Sequence, residues 1–240
     1  MEEIYIVIIA IAVIGLIMKI AKKALKLVFI IAIIGLVIFL IYNFKFKKES
    51  EASPEETEMS EETLENKKIA MIVAFKDFKD EEYFPPKKIL EEAGAEIITC
   101  SDKEGMAIGA NGGEAEIDVL LQNLAVSDFN AIVFIGGPGA LEHLDNEEGC
   151  RVAQETVEAD KVLAAICISP TILAKVGVLE GKRATVWASP LNRGPVKVLE
   201  ENGAIFENKP VVIDGKIVTG KGPEAAEEFG KALVQVLQSE

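Results

Sequence analysis

The hydrophobic and polar residues of this chain fall into three consecutive segments. Residues 1–44 are nearly all apolar, residues 45–67 are nearly all polar, and residues 68–240 mix both kinds as globular domains do. The third segment, of about 170 residues, is long enough to bury one hydrophobic core. The pattern predicts an apolar anchor, a polar connection and one folded domain.

Two uncharged apolar runs, residues 4–18 and 27–42, open the chain. Each is shorter than the roughly 20 residues that a helix needs to cross a bilayer, but flanking lysines can extend it by snorkelling. We expect two short transmembrane helices and therefore contact with membrane lipid; one long helix or an interfacial hairpin is the alternative. A signal peptide fits poorly, because Glu2 and Glu3 replace its basic start and no small-residue cleavage site follows.

Residues 45–67 are predicted to form a disordered acidic tether. Their few apolar side chains cannot bury enough surface to offset the entropy lost on ordering. An acidic partner-binding segment is the alternative. The formal net charge of −14, without a basic patch in the domain, argues against nucleic acid as a partner.

Apolar runs with strand and helix periods alternate through residues 68–240. Strands are predicted at residues 69–75, 95–99, 106–110, 114–119, 131–135, 162–166, 183–187, 210–213 and 216–219. Helices are predicted at residues 87–93, 147–159, 194–201 and 224–237, and from residue 171 onward. This alternation is typical of an α/β three-layer sandwich, a mostly parallel sheet with helices on both faces.

Cys167 stands between an apolar strand, residues 162–166, and a helix that opens after Ser169 and Pro170. A strand-to-helix corner of this kind holds a nucleophile at the carboxyl edge of a sheet. The helix N-terminus favours a thiolate there. A small buried hydrophobic side chain at a strand end is the alternative interpretation.

Cofactor and metal motifs are missing from the sequence. The turn after the first strand has no glycine, and the later glycine-rich turn, residues 136–139, lacks the third glycine of a dinucleotide fingerprint. The three cysteines are far apart, and one histidine offers no ligand cluster. We therefore expect neither a cofactor nor a metal.

Four features, in this order, resemble the ThiJ/PfpI superfamily, also called the DJ-one family. They are the segment 80–86 followed by Gly94, the turn 135–140, the cysteine corner 165–170 and the segment 221–229. The resemblance covers residues 68–240 and implies a fold like that of class I glutamine amidotransferases or flavodoxin.

The resemblance also implies a set of site residues. Cys167 would be the reactive thiol, and Glu82, with Glu81 as the fallback, would be the carboxyl that hydrogen-bonds it. The backbone N–H groups of Gly137 (or Gly136) and Ile168 would bind an oxyanion. A solvated acidic helix start is the alternative role for both glutamates.

The chain departs from the family where a histidine is expected. Ile168 follows the cysteine directly, and Trp187 stands about 20 residues later, where two branches of the family carry histidine. His143, or Glu142, could reach the Cys167 of a neighbouring subunit, or His143 could be a surface residue. Trp187 would line the pocket or lie in the core, and Ser169 is a further residue that could line the pocket.

The resemblance favours a thiol enzyme of glyoxalase or deglycase type, acting on small reactive carbonyl compounds through Cys167 and Glu82. A redox sensor or interaction module is the alternative, and a peptidase or amidase is disfavoured by the missing histidine. Glutamine amidotransferases are excluded, because no histidine follows His143. We expect a homodimer. We expect the domain on the cytoplasmic face of the membrane because a working thiolate suits a reducing compartment. The positive-inside rule gives little guidance on this orientation, since the numbers of lysines before and after the second apolar run are nearly equal.

Overall fold

The computed structural model describes residues 63–240. The predicted membrane anchor, residues 1–44, and most of the predicted tether lie outside the described residues. Within residues 63–240, no helix is both long enough and apolar enough to cross a membrane.

The described residues alternate between strands and helices. The strands, β1 to β12, are Lys68–Ile72, Lys76–Phe78, Glu96–Ser101, Met106–Gly109, Glu114–Glu116, Val119–Leu120, Ala131–Phe134, Val162–Ile166, Arg183–Ala184, Ile205–Phe206, Val211–Asp214 and Ile217–Gly220. The α-helices, α1 to α6, are Asp80–Glu92, Ala140–Leu144, Glu147–Glu158, Pro170–Lys175, Gly194–Glu201 and Ala226–Gln238. Short 3-10 turns lie at Leu121–Asn123, Val126–Asp128 and Pro223–Ala225.

A seven-stranded sheet forms the middle layer, in the order β11-β12-β8-β7-β1-β3-β6. Its strands run parallel except β11, which pairs antiparallel with β12 across the turn at residues 215–216. β7 and β8 are buried along their whole length, as expected for uninterrupted apolar strands covered on both faces. The predicted mostly parallel α/β sheet is confirmed.

Two hydrophobic clusters lie on opposite faces of this sheet. In β1, Ala70 and Ile72 contribute to one cluster, while Ile69 and Met71 contribute to the other. The first cluster is completed by side chains of α2 to α5, and the second by side chains of α1 and α6. The chain therefore forms three layers, and both sets of helices are fixed by burial of apolar surface.

Two predicted elements differ clearly from the structure, and one helix was not predicted. α1 begins at Asp80 rather than at residue 87, and it contains Pro85 and Pro86. The strand predicted at residues 183–187 is only two residues long, so Trp187 lies beyond it. α2, which contains His143, was not predicted.

The folded domain begins before residue 68. The N–H of Leu64 donates to the Ala93 carbonyl at 2.6 Å, and the Lys67 N–H donates to the Leu64 carbonyl at 2.9 Å. The Leu64 side chain is fully buried in the cluster shared with α1 and α6. The end of the predicted tether, residues 63–67, is thus part of the domain.

We expect Leu64→Ala to lower the free energy of unfolding by about 2–4 kcal/mol, because it removes a fully buried side chain and leaves a cavity. Urea denaturation followed by circular dichroism measures this change. The exposed neighbour Glu65 offers the matched control Glu65→Ala. Equal unfolding midpoints for the two variants would show that Leu64 does not stabilise the domain.

Candidate active site

The predicted cysteine corner is a strained turn between β8 and α4. Cys167 has a φ of 64°, a left-handed value that is uncommon for a residue with a side chain. Two backbone hydrogen bonds hold it: its N–H donates to the Gly220 carbonyl at 2.9 Å, and its carbonyl accepts from the Trp187 N–H at 2.8 Å. The corner is therefore fixed from both sides, and Cys167 as a whole residue is only partly buried.

Ser169 stabilises the corner through a buried side-chain hydrogen bond. Its side chain is fully buried, and its hydroxyl donates to the Ile135 carbonyl at 2.9 Å. Thr171, two residues later, donates its hydroxyl to the Ile168 carbonyl at 2.7 Å. Ser169 thus ties the corner to the end of β7, whereas the sequence suggested a place in the pocket.

The glycine turn after β7 packs directly on the segment that leads into α1. The Lys79 N–H donates to the Gly136 carbonyl at 3.0 Å, and the Gly139 N–H donates to the Asp77 carbonyl at 3.1 Å. Gly137 has a φ of 122°, and a Cβ atom there would lie 2.5 Å from the Lys79 nitrogen. Only glycine permits this approach, which brings the start of α1 to the cysteine corner.

Glu82 and Cys167 meet at Gly136. A Cβ atom on Gly136 would lie 2.5 Å from Glu82 Oε2 and 2.6 Å from the Cys167 Cβ atom. Glu82 has no exposed surface, and neither of its carboxyl oxygens has a hydrogen-bond partner that meets the usual distance and angle criteria among the described residues. The predicted carboxyl therefore lies beside the predicted thiol.

Burial raises the pKa of the Glu82 carboxyl from the ordinary 4.5 to about 7, although its interaction with Cys167 lowers that pKa in part. Burial also raises the pKa of the Cys167 thiol, and the negative charge of Glu82 raises it further. Because the two groups interact strongly, they titrate as a pair. The pair takes its first negative charge near neutral pH and resists a second.

Two backbone N–H groups have the opposite effect on the pKa of the Cys167 thiol. Those of Ile168 and Gly137 lower the pKa of the Cys167 thiol, because they stabilise negative charge there. These are the groups that the resemblance assigned to an oxyanion site, and the structure places both at Cys167.

Glu81, the fallback for Glu82, points elsewhere. Its carboxylate pairs with Lys79 at 3.0 Å and accepts from the Asn111 side-chain amide at 2.8 Å. Asp80 accepts the backbone N–H groups of Asn111 and Gly113, at 2.8 and 2.7 Å. Asp80, which we did not single out in the sequence, thus fastens the β4–β5 hairpin to the helix that carries Glu82.

His143 is not a surface residue. Its side chain is buried in α2, and its Nδ1 lies 2.8 Å from a carboxylate oxygen of Asp102. Glu142, beside it, is exposed. The described residues therefore hold the chain's histidine in an ion-pair geometry with Asp102, and its predicted reach to a neighbouring subunit stays a prediction.

Trp187 is next to the cysteine corner, since its backbone N–H donates to the Cys167 carbonyl. Its ring is about one-third exposed and lines a cavity of about 650 Å³ together with Gly222. Trp187 is therefore not a core residue, and the residues that line this cavity do not include Cys167 or Glu82. In the part of the chain that the structure describes, no cluster of three His, Cys, Asp or Glu side chains could hold a metal ion.

A comparison with known families gives one match over the folded domain. Residues 67–236 match the DJ-1/PfpI family. A protein of Methanocaldococcus jannaschii is 35% identical over 74% of this chain and 85% of its own length. A Bacillus subtilis protein, provisionally named a cysteine protease, is 32% identical over 72% of this chain and 99% of its own length. A Pyrococcus abyssi protein named a deglycase is 27% identical over 70% of this chain and 98% of its own length.

A solved structure shares the fold. The ThiJ/PfpI domain protein of Brachyspira murdochii superposes with a TM-score of 0.68 at 31% identity, over 72% of this chain and 97% of that one.

We expect the Glu82 carboxyl to make stability depend on pH. Its pKa is raised from 4.5 to about 7 on folding, so the stabilisation is full below pH 4.5 and is lost as the pH rises through 7. The loss amounts to about 3 kcal/mol in the free energy of unfolding, and Glu82→Gln should abolish it. Urea denaturation at pH 5 and pH 8.5 measures the difference.

Glu81→Gln is the matched control for this measurement, since Glu81 is half-exposed and should leave the pH dependence intact. If Glu82→Gln showed the same loss of stability between the two pH values as the unaltered chain, a group other than Glu82 would be responsible.

Proposed function

This chain belongs to the DJ-1/PfpI family, and from that premise we propose that it is a cysteine-dependent enzyme of glyoxalase or deglycase type, acting on small reactive carbonyl compounds. The observation that carries the proposal is the buried Glu82 carboxyl, with a pKa of about 7, beside Cys167. A group that titrates near the working pH can both accept and return a proton.

The first step needs both members of the pair. Because the pKa of the Cys167 thiol is raised, the sulfur carries its proton in the free protein at neutral pH. As the sulfur bonds to the aldehyde carbon, the thiol proton passes to the ionised Glu82 carboxylate. The carbonyl π electrons move to oxygen, and Glu82 can then return the proton in a later step.

The developing negative charge on that oxygen needs fixed donors. The backbone N–H groups of Gly137 and Ile168 already stabilise charge at the sulfur. An oxygen on the carbon bonded to that sulfur lies within reach of the same groups, so they supply an oxyanion site without rearrangement. The P. abyssi relative that is named a deglycase agrees with this chemistry.

A peptidase mechanism is less well supported. Ile168 and Trp187 stand where histidine would follow the cysteine, and His143 is paired with Asp102. Among the described residues, no histidine is therefore placed to pass a proton from Cys167 to a leaving amine.

A redox sensor is the second candidate, favoured by the partial exposure of the residue Cys167 and by the two backbone N–H groups that act on its sulfur. Oxidation would place sulfinate oxygens near Gly137 and Ile168, with a protonated Glu82 as a third donor. Both functions need the same geometry, so only measurement of turnover separates them.

The location of the domain is also a proposal. We propose that residues 1–44 anchor the domain to a membrane, on the strength of the two uncharged apolar runs. A reducing, cytoplasmic face suits a free thiol. A homodimer would bring the exposed Glu142 of one subunit toward the site of the other.

We expect the full-length chain to consume methylglyoxal, and Cys167→Ser to reduce the rate to the uncatalysed background. Glu82→Gln should slow the reaction by about 10²–10⁴-fold, because it removes the proton acceptor. Spectrophotometric loss of the aldehyde measures the rate. Cys150→Ser and Glu81→Gln are the controls, since neither residue touches Cys167. Full activity of Cys167→Ser would reject Cys167 as the nucleophile.

If the chain is a sensor, mild peroxide should convert Cys167 to the sulfinate before it modifies Cys100, which is fully buried, or Cys150. Peptide mass spectrometry across a peroxide series gives the order of oxidation. Preferential oxidation of Cys150, which is also partly buried, would eliminate the sensor hypothesis.

A further inference from the structure

The cavity beside the cysteine corner has a volume of about 650 Å³. Its lining includes Gly222 and Trp187. The backbone N–H of Trp187 donates to the Cys167 carbonyl. A Cβ atom on Gly222 would lie 3.4 Å from Trp187 Cδ1 and 3.9 Å from Glu82 Oε1. Gly222 thus separates the cavity from the buried Glu82 carboxyl, which does not line it. The cavity volume lies within the usual range for small-molecule sites.

Unpaired charges of both signs line this cavity. Glu224 and Glu228 make no ion pair or hydrogen bond with any residue that the structure describes, and both are exposed. The Lys221 ammonium donates to the Asn208 amide oxygen at 2.7 Å, and no carboxylate within the described chain pairs with it. The other lining lysine, Lys209, is already paired with Glu207 at 2.6 Å.

The charges occur on a surface that also offers an aromatic face. Trp187 is 36% exposed, and its ring adjoins Gly222, the residue that follows Lys221. An indole ring binds apolar groups by contact and attracts cations to its face. A ligand with one positive and one negative group can pair with both kinds of lining charge at once, whereas a singly charged ligand can pair with only one.

We propose that this cavity binds a small zwitterion, a compound with one ammonium and one carboxylate such as a free α-amino acid. The ammonium group pairs with Glu224 and Glu228, the carboxylate pairs with Lys221, and the apolar part lies on Trp187. This site needs no reaction at Cys167, so it stands or falls independently of the proposed carbonyl chemistry.

Trp187 makes the proposal directly measurable, because it is the chain's single tryptophan. L-leucine added to the full-length protein should change the tryptophan emission to saturation. N-acetyl-L-leucine lacks the ammonium and L-leucinamide lacks the carboxylate; each should bind at least about tenfold more weakly, the loss of one charged hydrogen bond. Calorimetric titration gives the same ranking without relying on the fluorophore.

Variants test which residues bind the ammonium group of the ligand and which bind its carboxylate. The double variant Glu224→Gln, Glu228→Gln should weaken L-leucine about tenfold or more and leave N-acetyl-L-leucine nearly unchanged, while Lys221→Gln should leave L-leucinamide nearly unchanged. Glu227→Gln is the matched control, because Glu227 is exposed on the same helix but does not line the cavity.

Equal affinities for the three compounds, or no saturable binding by either method, would overturn the zwitterion site. Cys167→Ser should bind L-leucine as the unaltered chain does. Inactivity toward methylglyoxal with zwitterion binding intact would count against the carbonyl chemistry alone.

Discussion

A carboxyl group without exposed surface lies against a thiol at Gly136, and the surrounding structure serves to keep the two together. Placing Glu82 there disfavours its charged form, which is why its pKa is raised to about 7. The glycine turn leaves room for the contact, because a Cβ atom on Gly136 would clash with both groups. The Asp80 hydrogen bonds to the hairpin fix the helix that carries Glu82.

Much of this arrangement could be predicted because it follows from local patterns. Uninterrupted apolar runs at residues 131–135 and 162–166 indicate strands buried on both faces, and such strands imply a parallel sheet with helices on both sides. Cys167 directly follows such a strand, so its place at the carboxyl edge was evident from the order of residues. Resemblance to the family supplied Glu82, which composition alone would not have distinguished from Glu81.

The parts that could not be predicted depend on contacts between distant residues. Pro85 and Pro86 lack the N–H groups that would pair with the Glu81 and Glu82 carbonyls, and local rules therefore end a helix there. Packing against α6 stabilises the helix in spite of these prolines. A Cβ atom on Gly230 of α6 would lie 3.1 Å from the Pro86 Cα, so the glycine allows α1 to pack closely against α6. Likewise, nothing near His143 in the sequence points to Asp102, 41 residues away.

The burial of Leu64 fixes where the chain enters the domain. The Leu64 N–H donates a hydrogen bond to the carbonyl of Ala93, the residue that follows α1. The residues after Leu64 lead into the amino end of β1. Cys167 follows the carboxyl end of the parallel strand β8, at the opposite edge of the sheet. The chain therefore enters the domain at the edge of the sheet opposite the thiol, so whatever precedes Leu64 joins the domain away from the corner that carries Cys167.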